Sequence, residues 1–446
     1  MILDDVAEQV GVWAAELSGW MDRTAGVFSR PEPREVFEQV VTGLLSPLPR
    51  KNGWTLAEHA GHGHPGRVQS FLNRGAWKPA DLQRHIRQMV VEGLGDPEGV
   101  LIVDDTAMIK KGSRSVGVAP QHCGATNQVE NCQVVVMLTY ASARGHAFVG
   151  HRLYLPERWT SDPARCREAG VPKDVSFATK PAQAVQLLAE ADAAGMPYGW
   201  IAADGGYGQY RQVRDWPTAH ARRYVMAVAC SQPLAYVHAV DGQGQVKRAD
   251  DLLGRAVRWE RRSCGHGTKG ERYWDWAVFT VTLPDEPAAD GFAHTLLIRR
   301  SVADPGEVAY FLVHAPHTTP AATMIQVAGM RWKIEECNEL GKDLLGLDQH
   351  QVRTWTAFGH HVAVVMFAHA FAATRRARQQ HPSTTDTTDT TDHPGHTGDD
   401  VVEGAHPGND PAPARTHQRQ HAPTSADAPT SGNSSTSGNA SRPSPT

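Results

Sequence analysis

Two uninterrupted apolar runs, each closed by aspartate, constrain the fold of this chain more than any other feature. The first is GVLIVDD, residues 99–105, and the second is YGWIAAD, residues 198–204. An apolar run without polar alternation is typical of a strand buried on both faces, and such strands occur in sheets that helices cover on both sides. The sequence therefore predicts an α/β protein with carboxylates at the ends of two central strands.

The elements around these runs follow a defined order. Two further strand candidates, residues 133–142 and 146–156, come after the first run. A helical segment at 180–195 precedes the second run, and a strand candidate at 222–230 follows it. Three strands, a helix, a strand, a helix or turn and a strand is the order of a ribonuclease-H-like core, a mixed sheet with flanking helices.

Composition and periodicity divide the chain into segments. Apolar residues recur at three- and four-residue intervals before residue 95, which predicts helices, whereas the C-terminal end lacks the apolar residues needed to form a core. The expected domains are a helical N-terminal domain at 1–95, the first part of the core at 96–230, a β-rich insertion at 231–319, the completion of the core with a glutamate-bearing helix at 320–377, and a disordered tail at 378–446. The basic, glycine-rich connector within 1–95 is compatible with a DNA-binding domain and equally with an ordinary helical cap that has a solvated face.

Several sequence patterns are absent, and their absence argues against the classes of protein that they mark. The six cysteines are scattered singly with no C-x-x-C pair, which argues against a zinc ribbon and a disulfide framework. Neither a G-x-G-x-x-G nor a P-loop pattern is present, so no nucleotide cofactor is expected. No apolar run approaches the roughly 18 residues of a membrane span, and the first residues do not have the layout of a signal peptide. We therefore expect a cytoplasmic protein with no membrane partner.

Charge alone does not indicate a nucleic-acid binder. The formal net charge is −4, and residues 381–446 carry eight acidic against three basic residues, so the remainder of the chain is close to neutral at +1. A local basic groove is compatible with this total.

The acidic residues suggest a metal site. Asp104 and Asp105 end the first apolar run, Asp204 ends the second, and Glu335 and Glu336 lie in a predicted helix. Carboxylates from two strand ends and a helix can hold two divalent ions, which clamp the attacking and leaving oxygens in phosphoryl transfer. Aspartate after a strand is also a common turn or N-cap residue, so this pattern alone leaves both interpretations open.

A second pattern surrounds Glu335. Arg331, Glu335 and Lys342 have the spacing R-(3)-E-(6)-K, within RWKIEE, and LLGLDQHQVRTW follows. Together with LIVDDTAMIKKG and WIAADGGYG, these residues resemble the DDE transposases of the bacterial insertion-sequence-4-like superfamily, in particular the insertion-sequence-701 family. The resemblance covers roughly residues 30–375.

The resemblance implies a function and a set of site residues. The first acid is the aspartate directly before threonine, Asp105, with Asp104 ranked second; the second acid is Asp204, and the third is Glu335 rather than Glu336. The same three residues are expected to bind two Mg²⁺ ions, for which Mn²⁺ substitutes. The implied activity is binding of the ends of an insertion sequence, DNA cleavage, and joining of the 3′ ends to target DNA.

Basic residues near these acids are candidate DNA contacts. On one continuous helix, Arg331 and Lys342 would flank Glu335 on nearly the same face. The further candidates, each of which could equally be an ordinary surface cation, are Lys110, Lys111, Arg353, Arg50 and Lys51. The expected partners are double-stranded DNA, as the terminal inverted repeats of the element and as target, and a second copy of the chain on DNA.

Two departures from the family pattern keep alternatives open. The superfamily has tyrosine three residues before the arginine, where this chain has Ala328, and the long C-terminal tail is not part of the pattern. One alternative is a transposase-derived DNA-binding protein that no longer cuts DNA. Another is an unrelated carboxylate hydrolase such as a glycosidase, which would use two acids without metal.

Overall fold

A computed structural model describes residues 2–237, 244–256, 258–267 and 270–380. The chain divides into two compact units, Met1–Thr387 and Thr388–Thr446, and the second lies outside the described residues. The predicted disordered tail also lies outside them, apart from residues 378–380.

Helices form both ends of the described chain and alternate with strands in its centre. They are α1 (Ile2–Arg23), α2 (Pro31–Leu45), α3 (Gly53–His59), α4 (Gly66–Arg74), α5 (Pro79–Leu94), α6 (Glu157–Thr160), α7 (Pro163–Glu168), α8 (Lys180–Ala193), α9 (Gly205–Gly208), α10 (Arg211–Ala219), α11 (Ala321–Met330), α12 (Lys333–Asp343) and α13 (Trp355–Gln380). The strands are β1 (Val100–Ile109), β2 (Ala119–Cys123), β3 (Gln128–Ser142), β4 (Gly145–Tyr154), β5 (Trp200–Ala203), β6 (Arg223–Val228), β7 (Pro233–Val237), β8 (Gly244–Arg248), β9 (Glu260–Gly267), β10 (Gly270–Val281), β11 (Phe292–Ser301) and β12 (Val308–Pro316).

Ten of these strands form one mixed sheet in the order β2-β3-β1-β5-β6-β12-β11-β10-β9, with β4 also paired to β3. Strand β1 runs antiparallel to β3, which is antiparallel to β4, and β1, β5 and β6 run parallel to one another. The order β4-β3-β1-β5-β6 with these directions is that of a ribonuclease-H-like core. The predicted fold class, an α/β protein with a mixed sheet and flanking helices, is confirmed.

The apolar runs form the centre of this sheet. All of Val100–Val103 and all of Trp200–Ala203 are buried, as expected for strands with both faces covered. Helices α8, α12 and α13 pack on the sheet, and α2, α4 and α5 pack against α13. Asp204 directly follows β5 as predicted, but the prediction that Asp104 and Asp105 end the first strand is wrong, because β1 continues to Ile109 in its pairing with β3.

The strand-rich segment after β6 extends the same sheet. Strand β12 returns antiparallel to β6, and β11, β10 and β9 follow outward in antiparallel pairs. Strands β7 and β8 pair separately, and α11 packs against β9. The expected domain boundaries stay predictions, but these pairings place β9–β12 in one continuous sheet with the core.

Helix α13 is long and apolar enough by length and composition to cross a membrane, yet 78% of its most apolar window is buried inside the protein. Its buried His360 ring lies 2.8 Å from the carbonyl oxygens of both Leu72 and Trp77, which joins the helix to the segment around α4. These contacts are those of a core helix.

Candidate active site

Asp104 and Asp105 follow the buried half of β1 and face opposite sides of the sheet, because successive side chains of a strand alternate. Both oxygens of the Asp105 carboxylate are engaged. The Tyr207 hydroxyl donates to Oδ1 at 2.9 Å, and Lys180 Nζ donates to Oδ2 at 3.0 Å. Lys180 begins α8, so the side of β1 that carries Asp105 is closed by that helix and by α9.

Asp204 directly follows β5 and lies next to β1. In the parallel pairing Val103 stands opposite Ala203, and the next residue on each strand is an aspartate. Asp204 Oδ1 is buried and has no hydrogen-bond partner among the described residues. Three aspartates, two from β1 and one from β5, thus meet at one edge of the sheet.

The glycines after Asp204 allow the backbone to approach closely. A Cβ atom on Gly206 would lie 3.1 Å from Asp204 Oδ1, and one on Gly208 would lie 2.2 Å from the carbonyl oxygen of Ala227 in β6. The short helix α9 therefore packs against β6, and from this position Tyr207 between the two glycines reaches back to Asp105.

Burial and repulsion between carboxylates raise the pKa values of Asp104 and Asp204. Burial is the largest cause that raises the pKa of Asp104 well above its usual value, followed by the charges of Asp204 and Asp105. Burial and the charge of Asp105 also raise the pKa of Asp204, whereas the nearby Arg331 guanidinium opposes this change. Crowded carboxyls with raised pKa values are typical of sites that bind cations or transfer protons.

Glu335 is connected to this cluster through Arg331. Arg331 Nη2 donates to Glu335 Oε1 at 2.7 Å, and its charge also lowers the pKa of Asp104 and Asp204. The Arg331 guanidinium therefore lies near Asp104 and Asp204 as well as Glu335. Glu335 is in the first turn of α12, where the helix dipole favours negative charge.

The expected continuous helix through Arg331, Glu335 and Lys342 is wrong in one respect. Helix α11 ends at Met330 and α12 begins at Lys333, so Arg331 and Trp332 form a turn between two helices. Arg331 still reaches Glu335, because it directly precedes the first turn of α12.

The neighbouring Glu336 has a different environment. His146 Nε2 lies 3.0 Å from its Oε2, and Lys333 Nζ lies 2.8 Å from the same oxygen. Burial would raise the pKa of Glu336, but these two partners outweigh it and lower the pKa to about 2. Glu336 is thereby committed to joining α12 to β4, which supports the choice of Glu335 as the third acid.

The donor set fits a divalent metal ion such as Mg²⁺. Carboxylate oxygens are the ligands that Mg²⁺ prefers, and the buried Asp204 Oδ1 has no other partner within the described chain. Among the same residues, no group of three or more His, Cys, Asp or Glu side chains is arranged to hold a metal ion as it stands. Lys180 and Arg331 pair with Asp105 and Glu335 instead, so a metal ion at these two carboxylates would compete with the two cations.

The comparisons with known proteins agree with this geometry. A family model described as a DDE superfamily endonuclease matches residues 24–270, more than half of the chain. The chain belongs to this family. The matched range includes Asp104, Asp105 and Asp204 and ends before Glu335. Membership in an endonuclease family leaves no support for the glycosidase alternative.

Individual proteins that resemble this member of the DDE superfamily have low sequence identity to it. A probable transposase for insertion sequence element IS701 from Microchaete diplosiphon is 25% identical over 262 residues, which cover 56% of this chain and 64% of that protein. The chain thus matches less than two thirds of the length of that relative. A solved piggyBac transposase synaptic complex with hairpin DNA has a TM-score of 0.34 and 9% identity, over 83% of this chain and 78% of that one.

The candidate DNA contacts of this DDE endonuclease differ in exposure. Arg50, Lys111 and Arg353 are exposed, and Lys342 is half-buried. Arg353 lines a cleft of about 620 Å³ together with Arg114 and Arg165 and with the acidic Asp162 and Glu168, and Glu168 lies 3.7 Å from Arg114. The role of Arg353 as a DNA contact stays a prediction.

Two of the candidate cations are engaged in other interactions. Lys51 is only 3% exposed, and its Nζ donates to the carbonyl oxygens of Ser46 at 2.5 Å and Gly43 at 3.4 Å. Burial lowers its pKa. A phosphate cannot reach this ammonium, so Lys51 is corrected from a DNA contact to a residue that caps the end of α2.

The side chain of Lys110 is also engaged in hydrogen bonds within the protein. Its Nζ donates to the carbonyl oxygens of Asp348 at 2.8 Å and His350 at 2.9 Å, and burial lowers its pKa to about 8. These bonds join the end of β1 to the loop before α13, which is a structural role.

Lys180 and Tyr207 are contacts of Asp105 that sequence reasoning missed. Tyr207 belongs to the AADGGYG segment, so a signal for it was present. Lys180 begins the predicted helix KPAQAV, and nothing in its spacing from Asp105 indicates that the two would meet.

Proposed function

We propose that this chain is a transposase that binds the ends of an insertion sequence, cleaves DNA there and joins the freed 3′ ends to target DNA. The observation that carries the proposal is the cluster of Asp104, Asp105 and Asp204 at one sheet edge, with Glu335 attached through Arg331. Membership in an endonuclease family supports a DNA substrate, and the IS701 relative supports transposition.

In this proposal Asp105, Asp204 and Glu335 hold two Mg²⁺ ions, with Mn²⁺ as a substitute. Bound there, the metal would polarise the phosphate and lower the pKa of the attacking water. Asp104 lies beside Asp204, and its buried carboxyl adds negative charge to the same edge. Tyr207 orients Asp105, and Arg331 is released from Glu335 to contact the phosphate oxygens.

The chemistry consists of two phosphoryl transfers. First, water attacks the phosphorus at the element end, the bond to the 3′ oxygen breaks, and a 3′-hydroxyl and a 5′-phosphate are released. Next, that 3′-hydroxyl attacks a phosphodiester of the target, loses its proton, and displaces a target 3′-hydroxyl. The number of phosphodiester bonds is conserved in the second step, so no nucleotide cofactor is needed.

The proposed partners follow from this chemistry. Double-stranded DNA would lie across the carboxylate edge and along the exposed cations Lys111, Arg114 and Arg353, with Lys342 and Arg50 as further contacts. Because its substrate would be chromosomal, we place the protein in the bacterial cytoplasm at the nucleoid. Two ends cut together imply a homodimer on DNA, and mass photometry that shows only monomers with end DNA would contradict it.

The test is cleavage of a plasmid that carries the ends of the element. We expect the wild type to cut at the ends in Mg²⁺ and not in EDTA, and Glu335→Gln to bind the same DNA without cutting it. Glu339→Gln is the matched control, since Glu339 is exposed on the same helix. Cutting by Glu335→Gln at the wild-type rate would refute the assignment of Glu335.

The alternative is a transposase-derived protein that binds DNA without cutting it, and two observations favour it. The cations Lys180 and Arg331 already neutralise Asp105 and Glu335, and Ala328 replaces the tyrosine of the superfamily pattern and is buried in α11. End-specific binding by the wild type with no cleavage in Mg²⁺ or Mn²⁺ would establish this alternative.

A further inference from the structure

Two arginines on the outer strands of the sheet lie near α11 and Arg331. Arg272 is in β10 and Arg299 is in β11. Arg272 Nη2 lies 3.5 Å from the carbonyl oxygens of Cys264 and Gly329, so its guanidinium lies where β9 packs against α11. Among the residues that the structure describes, neither arginine forms a salt bridge with an acidic side chain.

On the opposite face of the same strands, two arginines pair with one acidic side chain. Arg261 Nε lies 3.0 Å from Asp275, and Arg300 lies 3.5 Å from the same carboxylate. Arg299 directly precedes Arg300 and therefore faces the other way. On the face of Arg299, Arg262 also pairs with an acidic side chain, Glu260 at 2.5 Å, so Arg272 and Arg299 differ from the other arginines of these strands in having no acidic partner among the described residues.

Aromatic rings hold the two unneutralised guanidiniums. Arg299 Cζ lies 4.0 Å from the ring centre of Trp274 and 5.5 Å from that of Phe311, and Arg272 Cζ lies 5.8 Å from that of Trp332. The Nε atoms of both arginines are buried and have no acceptor within the described chain. Ring contacts stabilise a guanidinium, but they do not satisfy its N–H donors.

Arg331 joins these two residues to the carboxylates. Burial lowers the pKa of Arg299, and the neighbouring charges of Arg331 and Arg272 lower it further, although the exposed Glu307 acts in the opposite sense. Arg272, Arg299 and Arg331 therefore form a guanidinium cluster that extends from Glu335 to the outer strands. Like charges that approach one another in a partly buried place are stabilised by an anion between them.

We propose that Arg272 and Arg299 bind one backbone phosphate of the DNA strand beside the bond that is cut, so that β10 and β11 belong to the DNA-binding site. The planar, always charged guanidinium matches two non-bridging oxygens of a phosphodiester. The proposal rests on the proposed function, because it assumes that DNA is the substrate. The competing explanation is that the two arginines only fasten the outer strands to α11.

The test measures binding of a duplex oligonucleotide that carries the end of the element, in EDTA so that no DNA is cut. Arg272→Gln and Arg299→Gln are compared with the wild type over a range of salt concentrations. Each lost phosphate contact should reduce the slope of log affinity against log salt by about 0.9. Arg261→Gln is the matched control, since Arg261 is on the neighbouring strand and faces away from the cluster.

A neutral methylphosphonate, placed in turn at each phosphate near the cut, locates the contact. One position should weaken binding by the wild type and leave binding by Arg299→Gln unchanged. Arg299→Lys guards against a folding defect, because it keeps the charge and should restore the salt slope.

The outcomes separate this inference from the function on which it rests. If the wild type binds and cuts end DNA while both glutamine variants keep its affinity and slope, the arginines are only structural and the inference is wrong. If Arg299→Lys behaves like Arg299→Gln, charge is not what the site uses, and the inference is also wrong. If the wild type does not bind end DNA, the proposed function itself fails.

Discussion

Asp104 shows how strongly single residues of the site depend on their surroundings. Burial, and then the charges of Asp204 and Asp105, raise its pKa well above the ordinary value of 3.8. A group with a raised pKa in the folded state stabilises the fold fully below its unfolded pKa, and this contribution is lost as the pH rises through its folded pKa. Burial of Asp104 beside two other carboxyl groups therefore destabilises the metal-free protein at neutral pH.

Asp104→Asn should make the metal-free protein more stable at neutral pH. We expect a gain in the free energy of unfolding, because the variant removes the cost of burying a carboxyl group beside two others. The gain should shrink as the pH falls toward 3.8, where the wild-type carboxyl is protonated in both states. Urea denaturation across this pH range in EDTA measures the effect, with the exposed Asp174→Asn as control. A difference that does not change with pH would contradict the explanation.

Lys180 should compete with a divalent ion for Asp105, because its ammonium lies 3.0 Å from Oδ2. Lys180→Gln should therefore bind Mn²⁺ more tightly than the wild type, by about fivefold if the pair contributes ~1 kcal/mol. Electron paramagnetic resonance titration of free Mn²⁺ measures this affinity, and the exposed Lys173→Gln should leave it unchanged. Weaker binding by Lys180→Gln would mean that Lys180 helps to assemble the site instead.

Sequence reasoning nominates residues that a local pattern marks, but it does not show which groups those residues contact. Asp105, Asp204 and Glu335 could be nominated because the ends of apolar runs and a spaced motif mark them, and their roles stay predictions. Lys51 was misassigned because the carbonyl oxygens that bind it, those of Gly43 and Ser46, leave no trace in a basic segment. Arg272 and Arg299 were not nominated because their significance appears only when β10 and β11 lie beside α11.

At the scale of elements, the helix break at Arg331 and Trp332 is set by packing. The segment 318–347 has continuous helical periodicity, so no local signal indicates a break. In the structure α11 packs against β9, with Gly329 so close that an added Cβ would lie 2.6 Å from the Cβ of Cys264. Helix α12 packs instead on β1, β3 and β4. One straight helix cannot follow both surfaces, and the turn between them aims Arg331 at the carboxylates.

Two glycines in the turn after β5, Gly205 and Gly208, differ in the space around them, so one serves as a control for the other. Gly208→Ala should destabilise the fold by about 1–3 kcal/mol, because the new Cβ would clash with the Ala227 carbonyl oxygen and force α9 away from β6. Gly205→Ala should be nearly neutral, since nothing lies within 4 Å of an added Cβ. Thermal unfolding of the two variants compares them directly. Equal stability would show that α9 does not depend on this close approach.

At the scale of the whole molecule, the sheet extends well beyond the part that the sequence could order. The core strands β1, β3, β4, β5 and β6 were predicted with their order, because apolar runs and the intervening helix mark them. Strand β2 was not predicted, and β9–β12 were expected only as an insertion. Their place beside β6 depends on the pairing of β6 with β12, residues about 90 positions apart, which no local pattern reveals.

We propose that the carboxylates at β1, β5 and α12 form a divalent-metal centre. The Mn²⁺ affinity of the wild type, Asp204→Asn and the exposed control Asp215→Asn, measured by electron paramagnetic resonance without DNA, tests this proposal. We expect the wild type and Asp215→Asn to bind Mn²⁺ alike and Asp204→Asn to bind it at least about tenfold more weakly. Equal Mn²⁺ affinity in all three proteins would contradict it.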